Sequence, residues 1–463
     1  MKKTTKIISL CLSCILAVGA MAGCAGGGQK GENVSLKLSY WPNRELEPEK
    51  YALYETYIEE FKKIRPDVTI IPDEGAYGSD EFMVMAATKQ LPTVFRKMLT
   101  EPQQIIKAGY AKDITSQIKK HGYDTTINSD VMDVVTSDGK YYGVPWEGYM
   151  VGMWYNMNLF KEAGLVNEDG TPILPTTYDE MVETAKIIKD KTGKSGYAMP
   201  TTTGEGGWLF MNLAWSYGVN FMEQENGKWV AKFNSPEGVA ALQFVKDLKW
   251  KHNVLPENIL LGTNEVQQMF ATDQVAMSTI PEDRPAKTIK KYEMDKNVIA
   301  VGPVMEGPGG RYAQMGGDVW MISPEATDAE VDAAFDWFKL IGQSPEFDDV
   351  AKKNFEDKLV ADKEAGNIVA FPSFNIWENG TRAEEQMALY QKHVNVEEKL
   401  WPKNGMYSDE VTLKPEEPMC AQGLYTILSD AIQAVLSDEN ADPAQVISDA
   451  ADKFQTEYLD KAE

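Results

Sequence analysis

Val34, Leu36, Leu38 and Tyr40 are apolar, and Ser35, Lys37 and Ser39 between them are polar. A period of two predicts a strand, ended by Trp41-Pro42. The period then lengthens. Tyr54, Tyr57, Ile58, Phe61 and Ile64 recur at helical spacing, and Pro66 stops them. Val68-Thr69-Ile70-Ile71 predicts a second strand. Strand, helix, strand is the unit that builds a parallel sheet, because the helix carries the chain back to the end it left.

The same rhythm returns. Thr177 and Glu180 have capping-box spacing and precede Met181, Ala185 and Ile188 on one helical face. Residues 196–200 read as a short strand, and 235–250 as a helix with Val239, Leu242, Val245 and Trp250 inward. QVAMSTI, NVIAVGPVM and DVWMIS read as strands, the last followed by a second capping box at Thr327 and Glu330. Leu424, Ile427, Ile432, Val435 and Leu436 make the final hundred residues mostly helical. No repeat of solenoid length interrupts the pattern. The class is α/β. Ligands of such sheets bind at the carboxyl ends of strands, where Trp41 to Arg44, 204–208, 281–284 and Asp318 fall.

The beginning of the chain follows another logic. Lys2, Lys3 and Lys6 precede an apolar and small-residue run over 7–20, then Met21-Ala22-Gly23-Cys24. This predicts a secretory signal over 1–23; the run is too short for a permanent span. Small residues directly before a cysteine resemble the lipobox of bacterial lipoproteins. That implies lipidation at Cys24, anchoring without a span, and a glycine-rich tether over 24–33. An ordinary signal with a chance cysteine is the plainer alternative. Cys11 and Cys14 fall in the removed leader, so no internal disulfide is expected.

Composition narrows the chemistry. A chain of 463 residues suggests two domains. Its net charge of −24 repels nucleic acid. Three His argue against a dedicated zinc or copper carrier, and no metal or cofactor is expected. TGKSG is no phosphate loop, since Ile188 stands where its first glycine must be. GEGGWL and GPGGRY lack the last glycine of a dinucleotide fingerprint. No G-x-S-x-G and no H-E-x-x-H occurs. Eleven Trp must pack or line a ligand site.

Tyr142-Gly143-Val144-Pro145-Trp146, then the run from Trp154 to Leu165, carry a resemblance. Pro175-Thr176-Thr177-Tyr178-Asp179-Glu180, FATDQVAM and Gly316-Gly317-Asp318-Val319-Trp320-Met321-Ile322 extend it, as does QLPTVFRKML. In this order and spacing they resemble the family 1 extracellular solute-binding proteins of carbohydrate ABC importers, the maltose-binding-protein-like group. The resemblance implies a type II periplasmic-binding-protein-like fold of two lobes, each a mostly parallel sheet flanked by helices. It implies an N-terminal lobe of 34–145 with 305–343 and a C-terminal lobe of 146–304 with 344–463. Crossings are expected near 146–150, 301–305 and 343–346. It further implies hinge closure on a sugar, an oligosaccharide by the number of aromatics. Delivery is to an ABC permease, from a monomer lipid-anchored on the outer face of the cell membrane, without catalysis. The same fold holding a non-sugar solute, and a surface glycosidase, stay open as alternatives.

A pyranose offers a C–H face to an indole and a rim of hydroxyls to planar polar groups. Tryptophans and polar residues sharing cleft loops are therefore the candidates: Trp41, Asn43, Arg44, Arg96, Glu147, Tyr149, Trp208, Asp283, Arg284, Asp318 and Trp377. For Asp283 and Arg284 the bland alternative is a plain salt bridge, and for Trp41 a packed loop residue. Trp154, Trp250 and Trp337 read as core.

Overall fold

The computed structural model describes residues 33–202 and 204–462; the expected signal and Cys24 lie outside them. The strands of the main sheet are β1 (Val34–Leu38), β2 (Val68–Pro72), β3 (Val94–Met98), β4 (Gly143–Asn156), β5 (Ser195–Tyr197), β6 (Val275–Pro281), β7 (Ile299–Gly302), β8 (Tyr312–Ile322) and β9 (Thr412–Pro415). They order as β2-β1-β3-β8-β4-β6-β5, with β7 paired to β4 and β9 to β8. Helices flank the sheet, and the class is α/β, as expected.

The first unit forms as its pattern predicts. β1 and β2 pair in parallel from Val34 opposite Val68 to Leu38 opposite Pro72, joined by the helix Pro48–Ile64. The helix Asp328–Leu340 packs against β1. Its start is a complete capping box: Thr327 Oγ1 accepts from Glu330 N, and Thr327 N donates to Glu330 Oε2 at 2.8 Å. The other expected box is half made. Thr177 accepts from Glu180 N, but the Glu180 carboxylate takes the Thr176 N–H instead, at 2.8 Å.

The sheet is mixed, not mostly parallel. Parallel pairs arise where a helix returns the chain, as for β1 with β2 and β3, and β6 with β5. β4 and β8 have no such return; they run through the middle of the sheet, antiparallel to each other. β4 pairs with β8 over Gly143 to Met150 and then with β6 and β7 over Val151 to Asn156. β8 begins beside β9 at Tyr312 and ends beside β3 at Ile322. The two lobes therefore share both strands.

One expected crossing, at 146–150, lies within β4. Near the next, expected at 301–305, β7 is paired with Met153 to Asn156. Near the expected crossing at 343–346, Tyr123 Oη donates to Gln343 O at 2.7 Å. The segment 373–378 bridges Glu282 and residues 126–128. At one end, Ser373 N and Phe374 N donate to the Glu282 carboxylate at 2.6 and 3.3 Å. At the other, Asn128 N donates to Ile376 O at 2.8 Å, and Glu378 N to Thr126 O at 3.0 Å.

Trp154 and Trp337 are core, as expected. Trp154 stacks on Phe270 at 3.8 Å between ring centroids. Burial of each such side chain stabilises by about 1.5–3 kcal/mol. Trp250 is half-buried and donates its indole N–H to Val435 O at 2.9 Å.

Candidate functional site

The middle of the sheet is where polar groups gather. β8 and β4 place Asp318 opposite Glu147, Gly317 opposite Gly148, and Gly316 opposite Tyr149. Arg96 reaches the same place from β3. Its guanidinium bonds the Asp318 carboxylate and lies 3.3 Å from Glu147 Oε1. The Arg96 and Asp318 side chains are only 14% and 18% exposed, Glu147 55%. Burial works against the Arg96 charge. Asp318 and Glu147 outweigh it and hold the guanidinium above its ordinary value.

Two glycines bring the aromatics in. A Cβ at Gly316 would lie 2.6 Å from the Tyr149 ring, so only glycine lets that ring rest on the β8 backbone. Gly207 is closer still to its neighbour. Its Cβ would lie 2.1 Å from Tyr425 O, so the helix Glu205–Ser216 packs directly on the helix Ala421–Ser437. That contact sets the position of Trp208. Its ring meets Tyr149 edge to face at 6.3 Å, and Nε1 donates to Glu416 Oε1 at 2.5 Å.

The surroundings are acidic. Burial pushes the Glu416 carboxyl up to about 7, against the hydrogen bonds it accepts from Trp208 and Tyr425. Burial first, then Glu416, Asp283 and Asp318, hold the Tyr149 phenol above its ordinary range, with Arg284 opposing. Asp283 is bound to Lys287 and lies 3.8 Å from Arg284 Nε, so both act within an ion pair. Arg96, Glu147, Tyr149, Trp208 and Asp318 come from four separate segments to one place, and Asp283 and Arg284 act on the Tyr149 phenol electrostatically from a fifth.

The remaining candidates do not join them. Trp41 is 3% exposed, stacked on Trp337 at 5.9 Å and edge-on to Tyr54 at 4.9 Å. Trp377 is 4% exposed, with the Arg382 guanidinium 4.0 Å over its ring. Both are core residues, not platforms. Asn43 is used by its own turn: Oδ1 accepts from Glu45 N and Leu46 N, and Nδ2 donates to Glu74 at 2.6 Å. Arg44 stacks on Tyr51 of the helix that follows it.

Sequence reasoning missed Tyr40 and Glu416. Alternation assigned Tyr40 to the apolar face. The strand ends at Leu38, two residues early, and Tyr40 takes φ +59°, with Trp41 turned inward instead. Such a left-handed backbone costs an L-residue about 1–2 kcal/mol. Tyr40 is left 40% exposed, with Arg96 4.2 Å over its ring. Glu416 lies in KPEEPM, which has no pattern to mark it. Among the described residues no cluster of His, Cys, Asp and Glu could hold a metal ion, and no helix is long and apolar enough to cross a membrane.

The profile of the bacterial extracellular solute-binding proteins matches residues 45–344. YcjN of Escherichia coli (strain K12) is 25% identical over 270 residues, 56% of this chain and 56% of its own. The chain thus spans little more than half the length of that relative. The arabinooligosaccharide-binding protein of Bacillus subtilis (strain 168) is 23% identical over 346 residues, 72% of this chain and 76% of its own. Among solved structures, maltose-bound MalE3 of T. maritima is similar in fold. Its TM-score is 0.63 at 20% identity, over 91% of this chain and 99% of that one.

Proposed function

The chain belongs to the bacterial extracellular solute-binding protein family, and from that premise we propose that it is the substrate-binding component of an ABC importer, holding an oligosaccharide between its lobes. The observation that carries this reading is the Arg96–Asp318–Glu147 cluster beside the Tyr149–Trp208 pair. Planar polar groups of both signs suit a rim of hydroxyls, and the aromatics suit a C–H face. Two of the three proteins named above, one for arabino-oligosaccharides and one bound to maltose, support a neutral sugar. A phosphorylated solute is less well served. Arg96 is already held by two carboxylates, Arg284 is beside Asp283, and Arg44 stacks on Tyr51.

The proposal extends to motion and place. The lobes hinge where the chain passes between the parts 34–145 with 305–343 and 146–304 with 344–463. Cys24 carries lipid on the outer face of the membrane, the protein acts as a monomer, and it releases its ligand unchanged to a permease. A thermal-shift screen over oligosaccharides of different linkage tests the central reading. A binder melts higher with its sugar by linkage and yields no cleavage product. Absence of any shift, or appearance of products, overturns it.

A further inference from the structure

We propose that Tyr40 is the aromatic that stacks on the bound sugar from the β1 side of the cleft, with Arg96 holding its ring. This rests on the reading of the cleft as a sugar site.

The first ground is the backbone. Tyr40 occupies the left-handed region at φ +59°, where a bulky residue is an outlier and asparagine, aspartate or glycine is at ease. The turn itself is fixed by others: Tyr40 N donates to Gly75 O at 3.1 Å and Trp41 N to Asp73 O at 2.9 Å. A glycine would serve that turn without strain. What tyrosine adds is a ring outside the core. Strain retained at a ligand-facing loop is a known mark of function when the surroundings enforce it.

The second ground is the ring's environment. The Arg96 guanidinium lies 4.2 Å over one side of it, and Arg96 is itself held by Asp318 and Glu147. The ring is therefore oriented, yet Tyr40 remains 40% exposed. Tyr149 rests its ring on Gly316, two residues before Asp318 on β8, and Trp208 meets that ring edge to face. An oriented, exposed aromatic joined through Arg96 to two carboxylates, with two further aromatics on the neighbouring strand and helix, matches a pyranose's two surfaces.

The experiment compares the full chain with Tyr40→Gly, Tyr40→Phe and Trp41→Phe. Calorimetric titration uses arabino-oligosaccharides, maltose, lactose and diacetylchitobiose, and Tm is measured alongside. Tyr40→Gly should keep or raise Tm, because the strain is gone, and weaken the best-bound sugar at least tenfold. Tyr40→Phe should keep affinity within about threefold, and Trp41→Phe should change Tm and not affinity. Fluorotyrosine at position 40 should shift its fluorine resonance when sugar saturates the protein. A fluorine signal that does not move, or a Tyr40→Gly variant that binds like the wild type, overturns the proposal and leaves the sugar reading intact. A wild type that binds none of these sugars overturns both.

Discussion

Arg96 and Asp318 are bonded across neighbouring strands although they are not opposite each other. The register places Trp320 opposite Arg96 and Met98 opposite Asp318, so the guanidinium reaches one pleat along β8 to find its partner. The result is a recessed cation and anion that fix each other at the centre of the sheet. Asp318→Ala leaves Arg96 with Glu147 alone. Chemical denaturation should show a loss of about 3 kcal/mol, the lower end for breaking a buried pair, and sugar affinity should fall at least tenfold. Asp318→Asn keeps an acceptor and should lose less of both. A variant as stable as the wild type would mean the pair is solvated after all.

Trp208 has its indole N–H tied to Glu416 and its ring against Tyr149. Trp208→Ala should raise Kd at least tenfold, about 1.4 kcal/mol, and Trp208→Phe should recover most of it, since the stacking surface is kept. Titration calorimetry checks this; equal affinity in all three proteins removes Trp208 from the site.

Glu282 predicts a pH effect. Burial pushes its carboxyl up to about 7 from an ordinary value of 4.5, against the N–H groups of Ser373 and Phe374. Tyr390 also lies near it. A raised carboxyl favours the protonated folded form. Its contribution is fully present below the unfolded value and is lost as pH rises through about 7. Glu282→Gln cannot ionise, so its Tm relative to wild type should climb steadily between about pH 4.5 and 7.5. A difference that stays flat over that window contradicts the assignment.

Gly207→Ala forces a Cβ to within 2.1 Å of Tyr425 O, a backbone atom that cannot swing away. The helices must separate, at about 1–3 kcal/mol. Tm should fall, and the fluorescence of Trp208, one residue on, should change with it. A silent substitution would show that this interface yields easily.

Local signals in the sequence were reliable where local forces decide. β1, the helix after it and the capping box at Thr327 depend on residues within a few positions, and all form. The mixed sheet was not legible because β4 and β8 take their direction from partners more than 100 residues away. Four of the candidates that meet, Arg96, Glu147, Tyr149 and Asp318, lie inside strands paired at the middle of the sheet, not in the loops at strand ends that the pattern pointed to. Asn43 is lost to its own turn, and Trp377 to Arg382, a partner in a later helix. The exchange of Tyr40 for Trp41 has a single cause. One left-handed residue reverses which neighbour faces the core, and nothing in the identity of tyrosine announces it.

Sharing β4 and β8 between lobes has a practical result for anyone redesigning the molecule. Neither lobe is easily cut out as an autonomous piece, since a cut between them falls across β4 and β8, which each pair with strands on both sides of it. A fluorescent reporter is better inserted at the Asn226-Gly227 tip of the outlying hairpin, where both residues have positive φ and the flanking strands pair only with each other. There the insertion would ride on one lobe and leave the bending sheet to report ligand through its motion.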